Sequence, residues 1–507
     1  MPQEIELKLA TDPATLGSIV KHPAVVALAS GRSRRAKLVS RYYDTAQSEL
    51  HATGIALRLR RDGTRWLQTM KGPGSAVAGL HQRSEFEWKL KRARLDFAKL
   101  ATTPWQKTLS ETAARLEPLF STDVTRTSCL LSFPDGTRAM LCLDEGFIVA
   151  RGRRSPVCEI EIELINGSAQ RLRELALALA ADLPVRVAHA SKAERGYALA
   201  GVFPIQPLRA MRVPLPDHPT AAAAVAAVGG DCLRQISGNA EAVCAGQDSE
   251  FVHQLRVGVR RLRSLLKFVA TLVPPERVGL LDEELAWISG ATGAARDWDV
   301  FVTETLASIS PHLETTELRR SLGQLKARAT RMRAVQRATI REAAASQRLA
   351  RLLLTLGILF AEIEAAPAEA TPSARALAQG ELDRSDKRLT KRARGLRHAA
   401  PLERHRARIA AKKLRYAAEF FAPLYSKSRT SDYIDALSEL QARLGTLNDL
   451  ATAGRLVGEL ANDKKHGRTI AEAEGIVRGW IAASTLFELK RAAKARRALA
   501  KLKPFWN

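Results

Sequence analysis

Five short segments in the first 165 residues place charged side chains at every second position. They are Glu4, Glu6 and Lys8 in EIELKL, Arg58 and Arg60 in ALRLR, Thr69 and Lys71 in QTMK, Arg83, Glu85, Glu87 and Lys89 in RSEFEWK, and Glu159, Glu161 and Glu163 in EIEIEL. A β-strand sends alternate side chains to opposite faces, so each segment has one charged face and one apolar face. A single strand of this kind is an ordinary solvated face. Five of them, with clusters of carboxylates alternating with clusters of Arg and Lys, suit a closed antiparallel sheet that gathers both signs in one lumen. Hard divalent cations reach a protein through a few carboxylates plus phosphate oxygens and water. Arg and Lys supply charge-assisted bonds to the remaining phosphate oxygens. The pattern therefore predicts a metal on Glu4, Glu6 and the Glu159–Glu163 set, and a condensed phosphate chain on Lys8, Arg58, Arg60 and Lys71.

A second charged pattern has a different period. His253, Arg256, Arg260, Arg263 and Lys267 are spaced 3, 4, 3, 4, which puts them on one face of a helix beside an apolar stripe of Leu255, Val259, Leu262 and Leu266. His405, Arg408, Lys412 and Arg415 repeat it, with Glu419 where the first copy has Lys267. Like charges at this spacing cost a few tenths of a kcal/mol per pair. A face that accepts that cost twice calls for a neutralising anion, although an acidic partner helix would satisfy the charge alone.

These patterns sit in a chain of 507 residues with 79 Lys+Arg against 53 Asp+Glu, a net charge of +26 and 46% hydrophobic residues. That composition excludes disorder as the main state and points to a polyanionic partner. Residues 1–207 hold 30 basic and 21 acidic residues, and residues 208–507 hold 49 and 32. Period-two patterns dominate to about residue 200, whereas Ala, Leu, Arg and Glu at a period near 3.6 dominate after about 220. Between them lie Pro204, Pro207, Pro214, Pro216 and Pro219, which favour extended backbone. The expected organisation is a β domain over 1–201, a linker over 202–219 and a helical domain over 220–507, itself two repeats of about 220–363 and 375–500. The repeat is visible at an offset of 152, which superimposes His253 on His405, Phe268 on Phe420, Leu285 on Leu437, Gly293 on Gly445 and Asp297 on Asp449. Two copies of one helical unit, packed as a pseudo-twofold bundle, follow.

The opening Glu4-Ile-Glu-Leu-Lys8 resembles the signature of the CYTH domain, the triphosphate tunnel metalloenzymes. Tyr42-Tyr-Asp-Thr45, Gly54 to Arg60, Thr69-Met-Lys71, Arg83-Ser-Glu85-Phe-Glu87, Leu143-Asp-Glu-Gly146, Glu159 to Leu164 and Ser191 to Arg195 are similar, in order, to the family's successive strands and C-terminal helix. The resemblance covers roughly residues 1–201. It implies an eight-stranded antiparallel β tunnel with helices, acting on triphosphate-containing substrates with Mg²⁺ or Mn²⁺ on the glutamates. Asp144 would join the metal side, and Arg83, Glu85, Glu87, Lys192 and Arg195 the substrate side. Glu159 and Glu161 come first among the three glutamates of their strand. Arg138 shares parity with Asp144 and is a further lumen candidate, and Arg32, Arg34, Arg35 and Lys37 read as a basic loop that is solvated rather than one that admits substrate.

The helical half resembles the CHAD domain over roughly residues 218–500. His253-x-x-Arg256-Val-x-x-Arg260-Arg261-Leu-Arg263 with Gly293-x-x-Arg296-Asp297-x-Asp299-Val300 is similar to its first repeat, and His405-x-x-Arg408-Ile-x-x-Lys412-Lys413-Leu-Arg415 with Asn448-Asp449 to its second. The resemblance implies inorganic polyphosphate bound in a basic channel between two all-α halves. Copy two has Asn448 for Arg296 and Ala451 for Asp299, which points to a weaker site or to packing.

Together these readings predict an inorganic triphosphatase tethered to a polyphosphate-binding module. The alternatives are a non-catalytic polyphosphate-granule protein, and an adenylate cyclase or a thiamine or nucleoside triphosphatase of the same tunnel fold. With 5% aromatic residues and none interleaved in the basic helix, no stacking platform for nucleic-acid bases is evident. No export signal is recognised in MPQEIELKLA, and Leu352–Ala361 reads as a buried helix rather than a membrane span. Five cysteines without a CxxC suggest neither a disulfide framework nor a zinc site, so the expected setting is the cytoplasm, including polyphosphate granules.

Overall fold

The alternating segments form strands, and the strands close on themselves. The computed structural model describes residues 2–246, 249–461 and 468–506. Its strands are β1 (Gln3–Ala10), β2 (Ala29–Asp44), β3 (Ala56–Asp62), β4 (Arg65–Val77), β5 (Leu80–Leu90), β6 (Glu117–Ser132), β7 (Arg138–Ala150), β8 (Arg153–Asn166) and the two-residue β9 (Arg186–Val187). Their spatial order is β5-β4-β3-β2-β6-β7-β8-β1-β9, and β1 also pairs with β5, setting Glu4 opposite Arg83 and Glu6 opposite His81. Eight antiparallel strands thus make a closed barrel, which removes the unpaired edges of an open sheet.

The barrel carries its charges inside and its apolar residues outside. Leu7, Leu9, Leu57, Met70, Ile160 and Ile162 are fully buried on the strand faces opposite the charged ones. Helix α1 (Ala169–Asp182) covers β1 and β8, and the short helices Phe97–Leu100 and Gln106–Thr112 close over Leu57 and Met70. Each such side chain contributes about 2 kcal/mol on burial, which offsets the cost of a charged lumen. Helix α2 (Lys192–Ala200) starts at Ser191 with a capping box to Glu194, and its Ala193, Tyr197 and Ala200 pack with Tyr42, Phe120, Ile148 and Val157. Arg32, Arg34, Arg35 and Lys37, expected in a loop, belong to β2. There the ladder to β6 holds the backbone, and Arg34 pairs with Asp62 at 2.7 Å and Lys37 with Asp123 at 3.3 Å. The sequence hides this because that part of the strand is exposed on both faces and shows no apolar alternation.

The remaining long helices are α3 (Ala221–Cys244), α4 (Ser249–Val269), α5 (Pro275–Val300), α6 (Thr316–Ala345), α7 (Gln347–Glu364), α8 (Ala374–Arg392), α9 (Pro401–Phe421), α10 (Lys427–Ala461) and α11 (Arg468–Leu499). Contacts divide the chain into two compact units. One comprises Met1–Leu208, Leu233–Ala245 and Ala344–Ala361, and the other Arg209–Cys232, Gly246–Ala343 and Glu362–Asn507. The last turns of α3 and most of α7 therefore count with the barrel. Leu352 to Phe360 lies in α7, and its Leu354, Leu356 and Leu359 are fully buried. Among the described residues no single helix is long and apolar enough to cross a membrane.

In the helical unit the offset of 152 carries α4 onto α9 end to end and the start of α5 onto the start of α10. Equivalent residues meet: the rings of Phe268 and Phe420 lie 6.5 Å apart, and those of Phe268 and Phe421 5.0 Å. Such contact between equivalents is what a pseudo-twofold arrangement produces. The copies diverge after Val300, where Phe301–Thr305 form a π-helical turn while α10 continues as α-helix to Ala461.

Candidate active site in the barrel lumen and the basic helix face

The charged faces of the strands converge on a cavity of about 400 Å³ inside the barrel. At one level Lys71 Nζ donates to both oxygens of Glu4 at 2.6 and 2.7 Å. Arg83 donates to Glu4 from Nε at 3.0 Å and to Glu6 from Nη2 at 2.9 Å. Lys8 Nζ lies 3.0 Å from Glu6 and 3.4 Å from Glu161. Glu85 lies 3.3 Å from Lys71 and 3.7 Å from Arg58, and Glu87 accepts from Thr69 Oγ1 at 3.1 Å. At another level Lys192, the first residue of α2, reaches Asp144, Glu159 and Glu161 at 2.9, 2.5 and 2.9 Å. Arg126 grips Asp144 with two bonds of 2.6 and 2.7 Å and reaches Glu161 at 2.5 Å, while Arg195 holds Glu159 at 2.5 Å.

Burial opposes the charges of Glu4, Glu6, Asp144 and Glu161, and the facing cations outweigh it. Lys71, Arg83 and Lys8 hold Glu4 far below the usual carboxylate range. Lys8 lowers Glu6, and Lys192, Lys8 and Arg126 lower Glu161. Lys192 and Arg126 bring Asp144 down to about 2. Glu163 goes the other way: burial, then the carboxylates of Glu4 and Glu85, push it up to about 7. On β3, burial together with Arg58 and Arg126 lowers Arg60 to about 10, still charged at neutral pH. Its Nε donates to Ser40 Oγ at 3.1 Å, and the buried Nε of Arg58 has no hydrogen-bond partner. Beside them the Tyr42 phenol is held below its ordinary value by Arg58 and Arg60, against the effect of burial.

Glu4, Glu85 and Glu163 each bring one carboxylate oxygen within 4.8 Å of the others. An all-oxygen donor set fits a hard divalent cation such as Mg²⁺ or Mn²⁺. The raised Glu163 carries the same message, because two neighbouring like charges leave an acid that a cation would relieve. Glu85, expected on the substrate side, thus lies in a carboxylate trio with Glu4 and Glu163. Glu6, Asp144, Glu159 and Glu161, expected as ligands, lie outside this trio, with oxygens paired to Lys8, Arg83, Arg126, Lys192 and Arg195, just as those of Glu4 are paired to Lys71 and Arg83. Alternate residues share a face but lie about 6 to 7 Å apart along a strand, so Glu159, Glu161 and Glu163 occupy three different levels. For the same reason Arg138, six residues before Asp144, is exposed at the far end of β7 opposite Asn166 and does not line the cavity. Arg126 went unrecognised in the sequence because it is a lone charge between Thr125 and Thr127; the register that sets it opposite Asp144 appears only in the folded sheet.

In the helical unit the two copies of the basic face meet. Arg256 and Arg408 are both lowered, first by burial and then by Arg260, and both lie near Asp297 and Asp449. Arg256 is 3.9 Å from Asp297, which Arg455 of α10 approaches at 3.6 Å. Gly293 makes room for Arg256, since a Cβ there would lie 2.4 Å from its Nη1. His253 is held below its ordinary value by burial and by Arg296, and its buried Nδ1 has no hydrogen-bond partner. Other members of the predicted set are engaged elsewhere: Arg263 with Asp282 at 2.8 Å, Lys267 with Glu381 at 3.5 Å, Arg296 with Glu304 at 2.9 Å and Arg415 with Glu419 at 3.5 Å. His405 is exposed and Lys412 and Lys413 are half-buried. Arg261 is buried, pairs with Asp231 at 3.0 Å and lies over the Phe420 ring; one residue past Arg260 is about 100° around the helix, away from the basic face. Asp299 is likewise structural, fully buried and bound by Arg333 and Arg337 at 2.6 and 3.0 Å.

A closed antiparallel barrel with a lumen of paired carboxylates and cations, joined to a duplicated helical bundle, defines the class. Residues 2–197 match the CYTH domain and residues 227–458 match the CHAD domain, so the chain carries a CYTH domain followed by a CHAD domain. It is 32% identical over 201 residues, 39% of this chain, to an inorganic triphosphatase of Haemophilus influenzae, and spans 55% of that relative's length. It is also similar to the crystal structure of the CHAD domain from the plant Ricinus communis, at 35% identity and a TM-score of 0.52, over 59% of this chain and 98% of that one.

Proposed function

We propose that the barrel hydrolyses inorganic triphosphate to diphosphate and phosphate with the aid of Mg²⁺ or Mn²⁺, and that the basic helix face binds inorganic polyphosphate. One observation carries the reading. A single cavity holds three converging carboxylates, Glu4, Glu85 and Glu163, and facing cations that include Arg58, with an unpartnered buried Nε, and Arg60. The name of the Haemophilus influenzae relative supports it, and Tyr42, the one aromatic side chain lining the cavity among the described residues, is almost fully buried and offers no slot for a base.

Glu4, Glu85 and Glu163 would hold the metal, which when bound supplies positive charge next to the phosphate oxygens. The rest is positioning and electrostatics by the chain itself. Arg58, Arg60, Lys71 and Lys8 bind the equatorial oxygens, Lys192 and Arg126 are held in fixed directions by Asp144 and Glu161, and the enclosed lumen limits access of bulk water. On the helical face Arg256, Arg260 and Arg408 repel one another, and a polyphosphate chain removes that repulsion. The test is phosphate release from tripolyphosphate, ATP and long-chain polyphosphate, each with Mg²⁺, Mn²⁺ or EDTA. Metal-dependent turnover of tripolyphosphate well above ATP is expected. No turnover of any substrate, with salt-sensitive retention of long polyphosphate, would leave a binding protein.

A further inference from the structure

The end of α3 presses a polar strip onto the segment that precedes α2 and onto Leu208, which follows it. Ser237 Oγ lies 3.3 Å from His189 Nδ1, and Asn239 bonds to both the N–H and the C=O of Leu208 at 3.2 and 2.8 Å. Glu241 Oε2 accepts two consecutive backbone N–H groups, those of His189 at 2.7 Å and Ala190 at 2.8 Å. Gly238 permits the approach: a Cβ there would lie 2.4 Å from Leu208 Cδ1 and 3.0 Å from His189 Cδ2. The same segment is tied to the barrel on its other side, where the Ala188 N–H donates to the Lys8 carbonyl at 3.1 Å and His81 Nε2 meets the Ala188 carbonyl at 3.3 Å.

The next residues are Ser191, the cap of α2, then Lys192 and Arg195, whose cationic ends hold Asp144, Glu159 and Glu161. A carboxylate that takes both N–H groups fixes the two peptide planes ahead of the cap, and with them the direction in which the helix leaves. We infer that Glu241, seated against the segment by Gly238, is the positioning residue that aims Lys192 into the lumen and Arg195 onto Glu159, so that catalysis in the barrel depends on the end of α3. This rests on the hydrolytic reading above, and Glu241 touches no substrate in it.

The test uses the full chain with Glu241→Ala and Glu241→Gln, and reads kcat and KM for tripolyphosphate together with backbone hydrogen exchange over residues 189–200. Displacing a charged group by about an ångström is expected to lower kcat about tenfold or more, and Glu241→Ala should show this with faster exchange at His189 to Arg195. Glu241→Gln keeps an oxygen that accepts the same two N–H groups, so it should return both readouts to within about twofold of wild type. Faster exchange in Glu241→Ala with kcat unchanged overturns the inference, as does a Gln variant as impaired as Ala. Should Glu241→Ala fail to fold, Glu241→Asp withdraws the oxygen by one methylene and is read the same way. If the wild-type chain does not turn over tripolyphosphate, the hydrolytic reading falls, and exchange that Glu241→Ala leaves unaltered then disposes of the clamp separately.

Discussion

In the barrel lumen seven cations line the same cavity as six carboxylates, whereas on the helical face Arg256, Arg260 and Arg408 crowd one another around Asp297 and Asp449. The contrast shows in the electrostatics. Lys8, Arg83, Arg126 and Lys192 are raised because nearby carboxylates outweigh their burial, and Arg58 by the Tyr42 phenol and then Glu85; Arg60 alone of these lumen cations is lowered, by burial and then Arg58 and Arg126. Arg256, Arg408, Lys413 and His253 are all lowered, because burial and neighbouring cations act in the same direction. The lumen is preorganised by its own compensation, so the proposed triphosphate would compete with carboxylates already in place. The helical face is undercompensated, and the proposed polyphosphate would add what the fold leaves out.

The sharpest way to break this comparison is to damage each site and read both activities. Glu4→Gln removes a charged oxygen from the proposed metal site and weakens the anchor of Lys71 and Arg83, and is expected to lower tripolyphosphate hydrolysis about a thousandfold. Arg256→Ala with Arg260→Ala should change that rate by less than about twofold. A comparable loss of phosphate release from both variants would merge the two sites into one.

Arg261→Ala is the next largest effect, and it falls on stability. Removing one member of the buried Arg261–Asp231 pair is expected to cost about 3 to 5 kcal/mol in urea unfolding, while polyphosphate retained per folded molecule stays the same. Unchanged stability with lost retention would return Arg261 to the binding face.

Glu163 predicts a pH effect of similar or smaller size. Its acid is raised to about 7 from an ordinary 4.5, so between those values the folded chain holds a proton that the unfolded chain has released. Its contribution is fully present below about pH 4.5 and is lost as pH rises through 7, by about 3 kcal/mol at most in EDTA. Glu163→Gln should flatten that part of the stability profile, and a variant that keeps the wild-type slope would show that the slope has another origin.

The smallest effect is on salt dependence. If Arg256 and Arg260 each neutralise one phosphate, the double alanine variant should make the slope of log affinity for long-chain polyphosphate against log salt shallower by about 1.4. An unaltered slope would remove these two arginines from the contact.

Much of this protein is legible in its sequence. A period of two against a period of 3.6 separates the barrel from the bundle because side-chain direction is a local property of each backbone. The offset of 152 fixed the equivalence of α4 with α9 to the residue, since a duplicated unit keeps its own spacing. Parity marked Glu4, Glu6, Lys8, Arg58, Arg60 and Lys71 for the lumen, and all of them line it. What parity cannot give is the level at which each strand meets its neighbours. That depends on the stagger of the closed sheet, which places Glu163 and Glu85 with Glu4, leaves Glu159 and Glu161 to Lys192, and sends Arg138 to the exposed end of β7. Arg126 and Glu241 belong with these, because a lone arginine between threonines and a glutamate on an alanine-rich helix carry no local pattern. Their roles come from partners 18 and more than 50 residues away, and only closure of the barrel and the packing of α3 bring those partners within reach.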